Sequence, residues 1–261
     1  MNRGKVGRDL AEAIWAAPNN ARAFADVPPA GVRVLEGLLA GEPVAGVPDA
    51  RGQATLDEVV AALHDTDVLV SFLPAGAQAA TELYAEAALR AGCAFVNCMP
   101  AVLARDPAWA ARFAAAGLPL IGDDLKSSFG ATLVHRALVD ALTAGGVNLE
   151  EGYQLLGGGN ADFLNLQNPA SLSGKRATKV AGAGAAAHVS AAYIPFLEDR
   201  KIAYIRLQGK GFGDSPVEVE VRMSVEDSPS AAGNVIEAVR QAKAALDAGT
   251  GGVLTTGLMK S

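Results

Sequence analysis

The densest concentration of reactive side chains runs Gly122-Asp123-Asp124-Leu125-Lys126-Ser127-Ser128-Phe129-Gly130-Ala131-Thr132-Leu133-Val134-His135-Arg136. Two carboxylates and a lysine stand just past an apolar run and ahead of a helical pattern. Ligands of open α/β sheets bind there, beyond the carboxyl ends of the strands. A plainer role for Asp123 or Asp124 is to cap the following helix. A second concentration is Gly157-Gly158-Gly159-Asn160-Ala161-Asp162-Phe163-Leu164-Asn165. Its glycines would let a ligand approach the backbone closely; a flexible loop with an Asx-turn is the simpler alternative. A third is Lys175-Arg176-Ala177-Thr178-Lys179, whose two lysines share one face if the segment is helical. Converging cations suit a phosphate or a sugar oxyanion, whereas a solvated basic turn is the blander assignment.

Periodicity supplies the elements that position these groups. Asp67 to Pro74 is a short apolar run ending at proline, as a buried parallel strand reads. A helix is expected over Ala77 to Ala91, closed by Gly92. Ala94 to Pro100 reads as a second strand, Pro107 to Ala116 as a helix, and Leu118 to Gly122 as a third strand. Three strands with two crossover helices form a βαβαβ unit. Farther on, one long helix is expected over Ser127 to Ala144, closed by Gly145-Gly146, and a strand over Tyr153 to Asn160. Lys201 to Leu207 and Val217 to Met223 alternate with period two, like half-exposed antiparallel strands. Ala231 to Ala248 returns to an amphipathic helix. The class is therefore α/β: an incomplete Rossmann-like, doubly wound parallel sheet with an inserted α+β domain. The expected division is 1–123 with 227–261 for the Rossmann-like part and 124–226 for the insertion.

The 261 residues carry 22 Lys plus Arg and 28 Asp plus Glu, a net charge of −6. That balance disfavours nucleic acid and anionic membranes as partners. Half of the residues are hydrophobic and 19% charged, which excludes a mainly disordered chain. Two cysteines, Cys93 and Cys98, make no disulfide scaffold and read as small buried residues in a reducing compartment. No His, Cys or carboxylate set has metal-ligand spacing. His64, His135 and His188 stand apart and read as structural or surface residues. The first residues lack the apolar segment of a signal peptide. The longest uncharged stretch, Val180 to Leu197, is mostly Ala, Gly and Val, and reads as a loop and strand of a soluble, cytoplasmic protein. No G-x-G-x-x-G occurs near Met1; Gly4-Lys5-Val6-Gly7 has neither the spacing nor a preceding strand.

Taken in order, these segments resemble the myo-inositol-1-phosphate synthase family, its bacterial and archaeal branch most closely. The resemblance runs from Lys5 to Ser261. Its anchors are Gly122 to Ser127, Gly130-Ala131-Thr132, His135-Arg136, Gly158-Gly159-Asn160 and Asp162-Phe163. They continue with Lys175, Lys179, Asp199-Arg200-Lys201, Gly211-Phe212-Gly213-Asp214, Asp227-Ser228-Pro229, Ala232-Gly233 and Leu258-Met259-Lys260-Ser261.

The resemblance implies conversion of D-glucose 6-phosphate to an inositol phosphate with tightly held NAD, by oxidation, enolisation, aldol closure and reduction. By resemblance, Lys175, Lys179, Lys201 and Lys260 converge on the sugar phosphate, with Asp162 and Asp227 orienting them and moving protons. Leu73, Pro74, Asn97, Pro100 and Asp124 line the cofactor site. Lys126, Ser127, Gly130, Ala131 and Thr132 sit near phosphate and nicotinamide. A homotetramer is implied as well. The sequence departs at Leu156 and Ser128, where the family has Asn and Gln, and at Gly174 and Thr178, where it has Ser. The family's Gly-rich first turn would precede Met1. Two alternatives stay open: a truncated, non-catalytic or regulatory homologue, and an NAD-dependent oxidoreductase acting on another sugar phosphate.

Overall fold

A computed structural model describes residues 5–14, 27–38, 40, 54–73, 76–165 and 187–259. It divides into two compact units: one reaches Lys126 and resumes at Ala231, and the other includes Ser127–Ser230.

The first unit is built on a parallel sheet. Its strands β1 (Val68–Ser71), β2 (Ala94–Asn97), β3 (Pro119–Ile121) and β8 (Gly252–Val253) lie side by side in that order, all parallel. Helices α1 (Leu10–Ala13), α2 (Leu56–Ala62), α3 (Gln78–Ala91) and α4 (Pro107–Ala115) belong to this unit. α2 starts at a reciprocal cap, in which Thr55 and Glu58 each accept from the other's backbone N–H. α4 starts at Asp106, which accepts from Ala108 N–H at 2.8 Å, with Pro107 as its first residue. α3 ends at Gly92, whose φ of +77° is the left-handed cap that glycine adopts cheaply.

Alternation along β2 covers the sheet on both faces. Phe95 joins Leu120, Ala85, Ala88 and Phe113 on one side. Ala94 and Val96 join Ile121, Ala238 and Ala242 on the other. Small side chains on α3, with Ala85, Ala87 and Ala88 all fully buried, let the helix lie close to the strands.

The second unit is a mixed sheet in the order β5 (Ala187–Tyr193), β4 (Asn148–Gly158), β6 (Arg200–Lys210), β7 (Pro216–Glu226). β4 runs parallel to β5 and antiparallel to β6, and β6–β7 is an antiparallel hairpin. Helix α5 (Ala131–Ala144) covers one face through Ala131, Val134 and Leu138, which pack with Leu156, Ala203, Ile205, Val221 and Met223. The opposite face carries Leu155 and Tyr204, paired across β4 and β6 and 41% and 48% exposed. A short helix α6 (Ala161–Asn165) follows β4, and α7 (Asp227–Asp247) follows β7.

Several boundaries differ from those the pattern predicts. The helix expected from Ser127 begins at Ala131, because Ser128 commits both its N–H and its Oγ to Ser230 O, at 2.7 and 2.6 Å. The strand expected from Tyr153 begins at Asn148, where solvent-facing Glu150 and Glu151 hide the alternation. The helix expected from Ala231 begins at Asp227; Pro229 lies in its first turn, where proline costs no hydrogen bond. Among the described residues, no helix is long and apolar enough to cross a membrane.

Candidate functional site

In the second unit, the turn after β4, the start of β6 and the start of α7 bring charged groups together. Asp199 is 3% exposed. Its carboxylate accepts from Ser228 N–H at 2.9 Å, Ser228 Oγ at 2.7 Å and Asn160 Nδ2 at 3.2 Å. Its carbonyl accepts from Asp227 N–H at 3.1 Å. Asp199 thus caps α7 and holds Asp227 in the first turn, where the helix dipole favours a carboxylate. Asp227 Oδ1 accepts from Lys201 Nζ at 2.9 Å, and its Oδ2 lies 3.4 Å from Asn160 Nδ2. Lys201 also stands over the Phe163 ring, 5.7 Å from its centroid. Asn160 Oδ1 accepts from Phe163 N–H at 3.3 Å, which starts α6 and carries half-buried Asp162.

Two of the six residues expected to act on substrate, Lys201 and Asp227, are therefore in direct contact. Lys175, Lys179 and Lys260 lie outside the described residues, as does Pro74. The close approach expected of the glycines is an approach of protein, not of a ligand. A Cβ on Gly158 would stand 2.4 Å from the Phe163 ring, and one on Gly159 would stand 2.5–2.7 Å from backbone atoms of Glu198, Ile194 and Pro195.

In the first unit, three segments meet beyond the carboxyl ends of the parallel strands. Asp124 N–H donates to Met99 O and Leu125 N–H to Cys98 O, both at 3.1 Å. Lys126 N–H donates to Leu258 O at 2.8 Å, and Leu125 bridges Met259. Leu73, Pro100 and Lys126 are half-buried there. Ser71 Oγ is buried with no hydrogen-bond partner among the described residues. Asp124 is 6% exposed and adopts φ +63°. Neither Asp123 nor Asp124 caps α5, which starts at Ala131 behind the extended N-cap Gly130.

Other expected cofactor residues turn inward. Asn97 is fully buried, its Nδ2 donating to Ala101 O and Asp123 Oδ1 and its Oδ1 accepting from Met99 N–H. Ala131 lies in the core beneath the mixed sheet, beside half-buried Thr132. Ser127 is half-buried.

Asp199 and Asn160 organise the charged cluster; Asn160 stands in the glycine-rich concentration and both are anchors of the resemblance, but neither is expected from the sequence to hold the Lys201–Asp227 pair. The signal for Asp199 is its position two residues before Lys201 at the head of an alternating strand. His135 is 1% exposed, with neither ring nitrogen in a hydrogen bond of ordinary geometry. Burial lowers its pKa, and the nearby Gln154 side chain opposes that shift. Among the described residues, no group of three His, Cys, Asp or Glu could hold a metal ion.

Residues 130–228 match the family model described as myo-inositol-1-phosphate synthase. The inositol-3-phosphate synthase of Mycolicibacterium smegmatis is 42% identical over 280 residues, covering 98% of this chain and 77% of that protein. That of Corynebacterium glutamicum is 42% identical over 284 residues, with the same coverage, 98% and 77%. Among solved structures, Ari2 aligns with a TM-score of 0.82 at 36% identity, covering 97% of this chain and 72% of that one. A myo-inositol-1-phosphate synthase-related protein from Thermotoga maritima aligns with a TM-score of 0.76 at 24% identity, covering 100% and 78%, a likeness of fold. With such identity along nearly its whole length, the chain belongs to the myo-inositol-1-phosphate synthase family.

Proposed function

We propose that the chain isomerises D-glucose 6-phosphate to 1D-myo-inositol 3-phosphate with NAD as a bound cofactor. The observation that carries this reading is the Lys201–Asp227 pair, held in place by Asn160 and Asp199 in a chain of this family. The residues at the strand ends fit a dinucleotide. Leu73, Met99 and Pro100 offer half-buried apolar surface, Lys126 a cation, and Ser71 a buried hydroxyl without a partner among the described residues. NAD, when bound, supplies a reversible hydride acceptor for the sugar C5, so the overall reaction is redox-neutral.

The chain's own residues handle charge and protons. Loss of hydride from C5 and of the proton from its hydroxyl leaves a ketone, which acidifies the protons on C6. Removing one creates an enolate, whose attack on C1 closes the ring and leaves an alkoxide. An ammonium aimed at such oxygens stabilises charge where it develops. Lys201 fills that role, with Asp227 fixing its Nζ, and Asp162 exchanges protons. Lys175, Lys179 and Lys260 bind the sugar phosphate. Asp124 and Lys126 border the cofactor, and Asn97 shapes that border from within. The open face of the mixed sheet, with Leu155 and Tyr204, serves assembly into a homotetramer.

The test is to incubate the purified chain with NAD and glucose 6-phosphate and to assay inositol phosphate and NADH together. Ring-closed product without accumulated NADH supports the proposal. NADH without ring closure would point instead to an oxidoreductase on a sugar phosphate, and neither product to a non-catalytic homologue. Sedimentation tests the tetramer; a monomer at micromolar concentration would overturn it.

A further inference from the structure

One buried carboxylate takes no part in the proposed chemistry, yet it organises the loop beside the cofactor residues. The Asp123 side chain has no exposure. Its Oδ2 accepts from the N–H groups of Leu103 and Arg105 at 3.0 and 3.3 Å. Its Oδ1 accepts from Ala104 N–H at 3.2 Å and Asn97 Nδ2 at 2.9 Å. Arg105 Nε adds a longer contact of 3.4 Å. Three successive amides aimed at one anion form a nest whose anion is part of the chain. Asn97 grips the intervening turn, donating to Ala101 O at 2.6 Å and accepting from Met99 N–H at 3.2 Å. The fit leaves no slack, since a Cβ on Gly122 would stand 3.3 Å from Asn97 Cβ and 3.4 Å from Ala104 Cβ. Asp123 and Asn97 thus fix both ends of the 98–105 segment, which carries Met99 and Pro100 past the carboxyl end of β2.

We infer that Asp123 is a positioning residue for the dinucleotide: it sets the shape of the 98–102 turn, and cofactor affinity depends on that shape. The inference rests on the NAD reading above. Charge matters here as well as packing. A carboxylate offers only acceptors, and donors face both of its oxygens; an amide of equal size would turn its own N–H group toward some of them.

The test uses the full chain with Asp123→Asn and, as a milder change, Arg105→Ala, which removes one partly exposed partner. Three quantities are read: hydrogen exchange of the 98–105 amides without ligand, the melting temperature, and the Kd for NADH by fluorescence titration. Asp123→Asn is expected to speed exchange in 98–105 about tenfold or more, leave Phe95 and the mixed sheet protected, and raise the NADH Kd about tenfold or more. Arg105→Ala is expected to raise Kd less and leave melting unchanged. Faster loop exchange with an unchanged Kd would overturn the inference. If Asp123→Asn does not fold, an unchanged Kd in Arg105→Ala overturns it instead. A wild-type chain that binds no NADH overturns the NAD reading and this inference together. Exchange would then still report whether Asp123 anchors the loop, which separates that failure from a failure of the anchor.

Discussion

Lys201 Nζ stands 2.9 Å from Asp227 Oδ1, with the two side chains only 20% and 16% exposed. A pair so far withdrawn from water gains more from its contact, and loses more on its breakage, than a surface pair. Asp227→Asn keeps the size and an oxygen for Lys201 but removes the charge. Turnover of glucose 6-phosphate is expected to fall on the order of 100-fold or more. Unfolding free energy is expected to fall by about 1–3 kcal/mol, read from urea titrations. Full turnover in a destabilised variant would reduce Asp227 to a structural anchor.

Gly158 and Gly159 face different obstacles, which predicts different costs. An added Cβ at Gly158 meets the buried Phe163 ring, a side chain rather than backbone. At Gly159 it meets backbone of Glu198, Ile194 and Pro195. Gly159→Ala is expected to cost about 3 kcal/mol or more, and Gly158→Ala about 1–3 kcal/mol. Chemical denaturation of the two variants decides the order; equal losses would contradict the backbone argument.

The parallel unit was legible because its strands are buried on both faces, so Val68–Ser71 and Ala94–Asn97 read as continuous apolar runs. β6 and β7 were legible for the opposite reason: one face is wet, and the alternation is clean. The start of α5 was not. Whether residues 127–130 wind into the helix depends on Ser128 finding Ser230, a contact 102 residues away that no local pattern encodes. In the charged cluster, Lys201 and Asp227 could be picked out by resemblance. Resemblance picked out Asp199 as well, but not its role, because it caps a helix that begins 28 residues later. The burial of His135 was within reach, since Ala131, Val134, His135 and Leu138 follow the spacing of one helix face.

That buried histidine predicts a pH dependence. Burial is the larger influence and lowers its folded pKa below the unfolded value of 6.5, while Gln154 offsets part of the shift. The unfolded chain therefore binds the proton more readily. Stability associated with neutral His135 is present above about pH 6.5 and is lost as pH falls through that value toward the folded pKa. Thermal melts at pH 7.5 and 5.5 should show a smaller loss in His135→Leu than in the wild type. Identical losses would mean that other groups carry the acid sensitivity.

The cysteines predict an inert pair. Burial, with Asp124 adding to it, pushes the Cys98 thiol up to about 12. Burial also raises Cys93, with Asp67 contributing, and Cys93 Sγ lies 3.0 Å from Thr66 O. At pH 8 roughly one Cys98 in ten thousand is thiolate, and the thiolate is the form that reacts. Iodoacetamide should leave both cysteines unlabelled in the folded chain and label both in denaturant, as mass spectrometry can count. Rapid labelling of Cys98 under native conditions would show that the segment between β2 and β3 opens, and that burial there is not what suppresses the thiol.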